Sequence, residues 1–106
     1  MVNTKVDSGI CGFTTEIEAD CQDFQHVSFK IDSDCSNITE LAKNITVVDA
    51  YNEIKSGFEA DIYKKTRSLQ KSNCAGCVVP CAIFKTMQVA AGLALPKNAN
   101  IEILKK

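Results

Sequence analysis

The sequence predicts a two-layer α+β domain in which three or four helices cover one face of a three-stranded sheet. An N-terminal stretch alternates apolar and polar residues as a β-hairpin does, and the middle of the chain carries apolar residues at helical spacing. A short alternation then returns near the C-terminus. The predicted order is therefore two strands, three or four helices and one strand that rejoins the sheet. A chain of 106 residues suits one such domain, residues 1–106.

The N-terminal hairpin is predicted from two alternating stretches that follow a polar segment, residues 1–9, ending in a turn. In residues 11–21 the odd positions are mostly apolar and the even positions are polar, and residues 27–32 repeat that pattern. A period of two with one polar side is typical of a strand that is covered on one face only. We therefore expect the even-numbered face of the hairpin to be exposed to water.

The register of this hairpin is expected to bring two distant cysteines together. If the hairpin folds about Asp23, Ile17 lies opposite Phe29, and Cys11 lies opposite Cys35 at the open end. Directly opposed residues have Cβ atoms about 4.5–5.5 Å apart. A slip of one residue would exchange the buried and exposed faces, so the apolar pattern is expected to resist it.

Two capping patterns mark helix starts in the middle of the chain. Asn37 and Glu40 are placed as a capping box for a first helix, and Thr46 and Asp49 repeat the pattern for a second. Gly57 is expected to end or bend this second helix, so that it and a more polar third segment form two helices or one bent helix. The apolar residues expected to face inward from these two segments are Val47, Tyr51, Ile54, Phe58, Ile62 and Leu69.

The most apolar helix is expected after a cysteine-containing loop, residues 71–77. Pro80 suits the first turn of this helix, because its missing N–H would have no partner there. The predicted apolar face consists of Ile83, Phe84, Met87, Ala90 and Ala91. Gly92 is expected to end the helix, and the alternation around Ile101 and Ile103 predicts the last strand.

Composition and charge exclude several classes of partner. The chain is 45% hydrophobic and 24% charged, which is ordinary for a globular protein. A net charge of −1, with lysine and arginine spread along the chain, argues against nucleic-acid binding, which needs a basic face. No apolar run approaches the roughly 20 residues of a membrane span, and residues 1–9 lack the apolar core of a secretory signal. We therefore expect a cytoplasmic protein with no nucleic-acid or membrane partner.

Six cysteines in a chain expected in a reducing compartment more often indicate metal binding or redox chemistry than disulfides. For the opposed pair Cys11 and Cys35, metal ligation and a disulfide both stay open. Cys74, Cys77 and Cys81 follow the spacing C-x2-C-x3-C at the predicted start of a helix, whose N–H groups and dipole stabilise a nearby thiolate and lower its pKa. Together with Cys11 and Cys35 from the hairpin, they are the predicted metal ligands. Four thiolates close a tetrahedral zinc site or hold an iron–sulfur cluster, and a labile cluster can be lost during purification in air.

Two alternatives to a metal site stay open at this point. Cys74 or Cys77 could be the attacking thiolate of a thiol–disulfide oxidoreductase or sulfur carrier. Alternatively, the protein could be an interaction domain whose cysteines only pack, as free cysteine often does. Cys21 and His26 are predicted near the hairpin turn, far from the other cysteines, as structural or surface residues. The sequence identifies no catalytic residue, reaction or substrate.

Four short motifs along the chain carry a resemblance to a known family. The motifs are Cys11-Gly12-Phe13, Ser33-Asp34-Cys35, Cys74-Ala75-Gly76-Cys77 and Leu93-Ala94-Leu95-Pro96. With this pattern across its whole length, the sequence resembles a small prokaryotic domain family of unknown function. The resemblance implies a cytosolic protein and supplies no activity.

Overall fold

The computed structural model describes residues 1–70 and 72–106, apart from the side chains of residues 72 and 73. The strands of this described chain are β1 (Val2–Asp7), β2 (Thr14–Cys21), β3 (His26–Ser33) and β4 (Val47–Asp49). They form one antiparallel sheet in the order β1-β2-β3-β4. The α-helices are α1 (Ser36–Lys43), α2 (Ala50–Ser56), α3 (Asp61–Leu69) and α4 (Val79–Ala90). Short 3₁₀ turns lie at Gly9–Cys11, Gly57–Glu59 and Ser72–Gly76.

The helices form a second layer over one face of the sheet, which confirms the predicted α+β class. Helix α4 packs against β1 and β2, and α1 packs against β3. Along β2, Thr15, Ile17 and Ala19 are buried, whereas Thr14 and Glu16 are exposed. The even-numbered side of this strand is therefore the wetter one, as predicted. Burial of one large aliphatic side chain contributes roughly 1.5–3 kcal/mol, so the odd-numbered residues hold the two layers together.

The sheet has four strands rather than the predicted three, and one of the additional strands is β1. Val6 is buried on the face that α4 covers, and the hydroxyls of Thr4 and Thr86 are hydrogen-bonded at 2.7 Å. Only Val2 and Val6 mark this strand as apolar in the sequence. The sequence does not show an apolar–polar alternation in β1, because the polar Thr4 lies between Val2 and Val6 on the side that faces the helices. Its hydroxyl is hydrogen-bonded to Thr86 of α4.

The register of the β2–β3 hairpin differs by two residues from the prediction. Ile17 lies opposite Ile31, and Phe29 lies opposite Ala19. The turn is centred on Phe24, whose φ of +60° is left-handed, rather than on Asp23. A shift of two residues leaves every side chain on its predicted face, because the side-chain period of a strand is two.

A strand and a short helix, β4 and α2, replace the single helix predicted from Thr46. Val48 of β4 lies opposite Val27 of β3. The Asp49 side chain accepts a hydrogen bond from the N–H of Asn52 at 3.1 Å and so caps α2. Because the helix begins later than predicted, its inward face also differs. Four residues predicted to face inward are exposed, namely Val47, Tyr51, Ile54 and Phe58.

A buried glutamate connects α2 to α3, which are separate helices. Gly57, with a φ of +60°, ends α2 as predicted. Glu53 is only 1% exposed, and its carboxylate accepts hydrogen bonds from the N–H groups of Asp61 and Ile62 at 2.8 and 2.9 Å. These N–H groups have no partner within α3, and the helix dipole favours a negative charge beside them. Glu53 therefore caps a helix that begins eight residues later in the chain.

Helix α4 follows its prediction closely. Pro80 lies in the first turn, and Ile83, Met87 and Ala91 are buried. Gly92 follows the helix with a φ of +76°, a left-handed conformation that glycine adopts without strain. Within the described parts of the chain, no helix is long and apolar enough to cross a membrane.

The predicted C-terminal strand is wrong. Residues 93–106, which the structure describes throughout, form neither helix nor strand. Ile101 and Ile103 are 67% and 87% exposed. Their alternation indicates a strand, but a strand also needs an adjacent strand edge, and within one copy this segment does not pair with one.

Candidate cysteine site

Cys74 and Cys77 are brought together by the turn that precedes α4. The backbone forms a 3₁₀ turn over Ser72–Gly76, and the N–H of Cys77 donates to the carbonyl of Cys74 at 3.0 Å. Ala75 and Gly76 between the two cysteines place little side-chain bulk in this turn. Both cysteines are half-buried, and Cys77 packs against the hydrophobic core.

Cys35 occupies the N-cap position of α1, two residues before the predicted cap at Asn37. Its backbone is extended, with a φ of −86° and a ψ of 121°, and its N–H donates to Ser33 Oγ at 3.1 Å. The side chain is half-buried against the core. The hydrogen bond to Ser33 at the end of β3 and the start of α1 therefore both fix the backbone position of Cys35.

Cys11 lies in the turn before β2, not within the strand as predicted. The turn is closed by a hydrogen bond from the N–H of Gly12 to the carbonyl of Gly9 at 2.9 Å. The two glycines have φ values of +75° and +80°, which a larger residue would adopt only with strain. The N–H of Asp34 donates to the carbonyl of Thr14 at 3.2 Å, which extends the pairing of β2 and β3 past their ends. Cys11 thus lies at the same end of the hairpin as Cys35, without being opposite it in a strand pair.

The pKa of Cys77 indicates which thiols surround it. Burial raises the pKa of Cys77, a hydrogen bond from the backbone N–H of Val79 lowers it, and repulsion by charged Cys74, Cys11 and Cys35 raises it further. Such repulsion weakens with distance. Cys74, Cys11 and Cys35 therefore each lie close enough to Cys77 for a charge on them to affect its pKa.

The predicted lowering of thiol pKa at the start of α4 is wrong for Cys77. The helix does act in the predicted direction, since the Val79 N–H stabilises the thiolate. Burial of the sulfur outweighs that stabilisation, because the low dielectric of the interior disfavours the charged form. Cys77 therefore stays protonated to higher pH than an ordinary cysteine does.

Cys81 has a different neighbour from the other predicted ligands. It is exposed on α4, and its thiol lies beside the hydroxyl of Tyr63 on α3. Burial raises the pKa of Tyr63, and the charge and hydrogen bonding of Cys81 raise it further. The Tyr63 ring stacks on Phe84 with ring centres 5.4 Å apart. The sequence does not indicate this pair, because Tyr63 is on another helix, eighteen residues from Cys81.

Cys21 and His26 lie at the opposite end of the hairpin, as predicted. Cys21 ends β2 with its sulfur 3.8 Å from Asp23 Oδ1, and the exposed His26 begins β3. The Nδ1 atom of His26 is 2.7 Å from Asp23 Oδ2. Neither residue belongs to the group of four cysteines around Cys77.

All six cysteines are free thiols among the residues that the structure describes. Within those same residues, no set of three or more histidine, cysteine or acidic side chains is arranged closely enough to hold a metal ion. The prediction of a metal site at Cys11, Cys35, Cys74, Cys77 and Cys81 therefore stays a prediction.

Comparison with known families identifies the chain as a member of one of them. A model described as a family of unknown function (DUF6951) matches residues 2–103. The chain belongs to this family. The DUF6951 match spans all six cysteines and most of the C-terminal segment. No curated protein and no solved structure matches the chain.

Proposed function

We propose that this protein is a cytoplasmic metal-binding domain that holds zinc or an iron–sulfur cluster through Cys11, Cys35, Cys74 and Cys77. The observation that supports the proposal is that Cys35 and Cys77 pack against the same hydrophobic core, while the hydrogen bond from the Cys77 N–H to the Cys74 carbonyl joins Cys74 and Cys77 in one turn. Charges on Cys74, Cys11 and Cys35 also each raise the pKa of Cys77. A bound cation stabilises thiolates that otherwise repel one another, because it neutralises their charge and displaces their protons. Four thiolates are a common ligand set for structural zinc and for iron–sulfur clusters.

A metal ligand fits the surroundings of Cys77 better than a nucleophile does. A reactive cysteine needs a lowered pKa, whereas burial and neighbouring thiols raise the pKa of Cys77. The single histidine, His26, lies at the far end of the hairpin and is badly placed to activate a thiol. The C-x2-C turn favours thiol–disulfide exchange or sulfur transfer as the second candidate function, with Cys74 as the attacking thiol.

The four proposed ligands differ in how firmly they are held, which suits a site that closes around its metal. Cys35 and Cys77 pack against the hydrophobic core and would fix the position of the ion. Cys11 is exposed in a turn between Gly9 and Gly12. Glycine tolerates a wide range of backbone angles, so this turn can adjust to bring the Cys11 sulfur to the ion.

Anaerobic purification followed by elemental analysis and absorption spectroscopy tests the proposal. We expect bound zinc, or iron with the visible absorption of an iron–sulfur cluster. Cys35→Ser and Cys77→Ser should each lose most of the metal, whereas the matched variant Cys21→Ser, at the other end of the hairpin, should retain it. A folded protein that holds no metal after anaerobic purification, and takes up neither zinc nor iron on reconstitution, would falsify the proposal.

Two further measurements test whether Cys81 is a ligand and whether thiol exchange explains the site better than metal binding. Cys81→Ser should leave the metal content unchanged, because the Cys81 thiol lies beside Tyr63 and not in the group around Cys77. Loss of metal in Cys81→Ser would instead add it to the ligand set. In metal-free protein, fast alkylation of Cys74 at neutral pH would favour the thiol-exchange alternative, since a reactive thiolate labels quickly.

A further inference from the structure

The C-terminal segment, residues 93–106, is a strand-like sequence without a sheet. Its apolar side chains are open to solvent, with Leu95 88%, Ile103 87% and Leu104 69% exposed. Ile101 and Ile103 alternate with Asn100 and Glu102, the pattern of a strand with one apolar side. Large aliphatic side chains are costly to leave in water, at roughly 1.5–3 kcal/mol for each one that could be buried.

Strand β1 is an edge strand of the sheet, and within the described residues no strand pairs with its outer side. Over the described residues β1 pairs with β2 alone, in six consecutive residue pairs from Val2 to Asp7. The N–H and C=O groups on its other side are therefore open to a further strand. Natural edges are usually blocked by a proline, a bulge or a covering loop. β1 contains no proline, its six-residue register with β2 is unbroken by a bulge, and Lys5 and Asp7 are its charged residues.

The two features also match in charge. The segment 93–106 carries three lysines and one glutamate, so it is net positive by two charges. The chain as a whole has a net charge of −1, which leaves the remaining ninety-two residues at −3. If Ile101 and Ile103 face the helix layer, Glu102 falls on the water-facing side. There the side chain of Lys5 is 81% exposed and lies 3.9 Å from the carboxylate of Glu16 on β2. Within the proposed contact, residues 99–104 carry only Glu102 and β1 carries Lys5 and Asp7, so the charge match consists of Glu102 with Lys5.

We propose that residues 99–104 add as a fifth strand to the free β1 edge of a second copy of this chain. Each copy carries both a free strand and a free edge, so a twofold exchange of C-terminal segments pairs both at once. Ile101 and Ile103 then lie beside Val2, Thr4 and Val6 on the side that α4 covers. The product is a dimer with two five-stranded sheets.

Light scattering on the full-length protein over a concentration series tests this proposal. The expected mass is twice the chain mass of 11.6 kDa. The double variant Ile101→Asp/Ile103→Asp should reduce the mass to that of one chain, and it should still unfold cooperatively in urea because both side chains are exposed within one copy. Leu95→Asp, an equally exposed position in the same segment but outside the paired residues, is the matched control and should stay dimeric.

Charge reversal gives an independent check of the register. Lys5→Glu should raise the dimer dissociation constant severalfold, and Lys5→Glu combined with Glu102→Lys should restore it. Three results would each overturn the proposal. They are a monomer at all concentrations, a dimer unaffected by the isoleucine substitutions, and a monomer whose β1 amide protons are protected from exchange by its own C-terminal segment.

Discussion

The buried carboxylate of Glu53 leads to a quantitative prediction about stability. Its two oxygens accept hydrogen bonds from the N–H groups of Asp61 and Ile62, and the side chain is almost completely removed from water. A hydrogen bond to a charged group contributes roughly 1.5–3 kcal/mol. Glu53→Ala removes both bonds and leaves two N–H groups at the start of α3 without their acceptor. We expect it to lower the free energy of unfolding by about 3–5 kcal/mol, a large part of the 5–15 kcal/mol typical of a domain.

Glu53→Gln is the sharper variant, because it keeps the shape of the side chain and one carbonyl acceptor. It loses the charge and the second acceptor, so we expect a cost of about 1–3 kcal/mol. The measurement is the midpoint of urea unfolding, followed by circular dichroism. Glu59→Gln is the control, since this exposed carboxylate forms a surface ion pair with Arg67 at 3.2 Å, and such pairs contribute at most about 1 kcal/mol. Equal costs for the two glutamine variants would refute the capping argument.

Three further predictions concern the hairpin turn, the cysteine site and the core. The hydrogen bond to Asp23 raises the pKa of His26. The stability that this pair contributes is therefore complete below about pH 6.5 and is lost as the pH rises through the raised pKa. In an NMR titration, Asp23→Asn should return the histidine pKa toward 6.5, and an unchanged pKa would contradict this account. Because the pKa of Cys77 is raised, the rate of its alkylation in metal-free protein should still increase above about pH 8.5. Mass spectrometry follows the reaction, and an alkylation rate that stays constant above neutral pH would exclude a raised pKa for Cys77. Ile17 is 0% exposed, so Ile17→Ala should lower the free energy of unfolding in urea by about 2–5 kcal/mol. Ile10 is fully exposed, so Ile10→Ala should lower it by less than about 0.5 kcal/mol. Similar losses for the two variants would show that Ile17 is not a core residue.

The elements that the sequence predicts correctly are those with strong local signals. The alternation along β2 places Ile17 and Ala19 inward, and the helical spacing in α4 does the same for Ile83 and Met87. Gly57 also marks a helix end correctly, because its positive φ follows from local backbone chemistry. Each of these predictions depends on residues within a few positions of one another.

The elements that the sequence predicts wrongly depend on a distant partner. The sequence of β1 does not indicate a strand by itself, because the polar Thr4 on its inner side finds its hydrogen-bond partner, Thr86, on the distant helix α4. Val47–Asp49 becomes β4 because β3 offers a pairing edge. Residues 93–106 have the alternation of a strand but no edge within the same copy.

The amino-acid sequence by itself determined the fold class and the buried faces of β2 and α4. Only the tertiary structure shows that charges on Cys11 and Cys35 can affect the pKa of Cys77, because these residues come from segments far apart in the chain. It also separated Cys81, by placing its thiol beside Tyr63. Spacing along the chain cannot make that distinction, because thiol proximity depends on how the hairpin and the start of α4 pack at one end of the sheet.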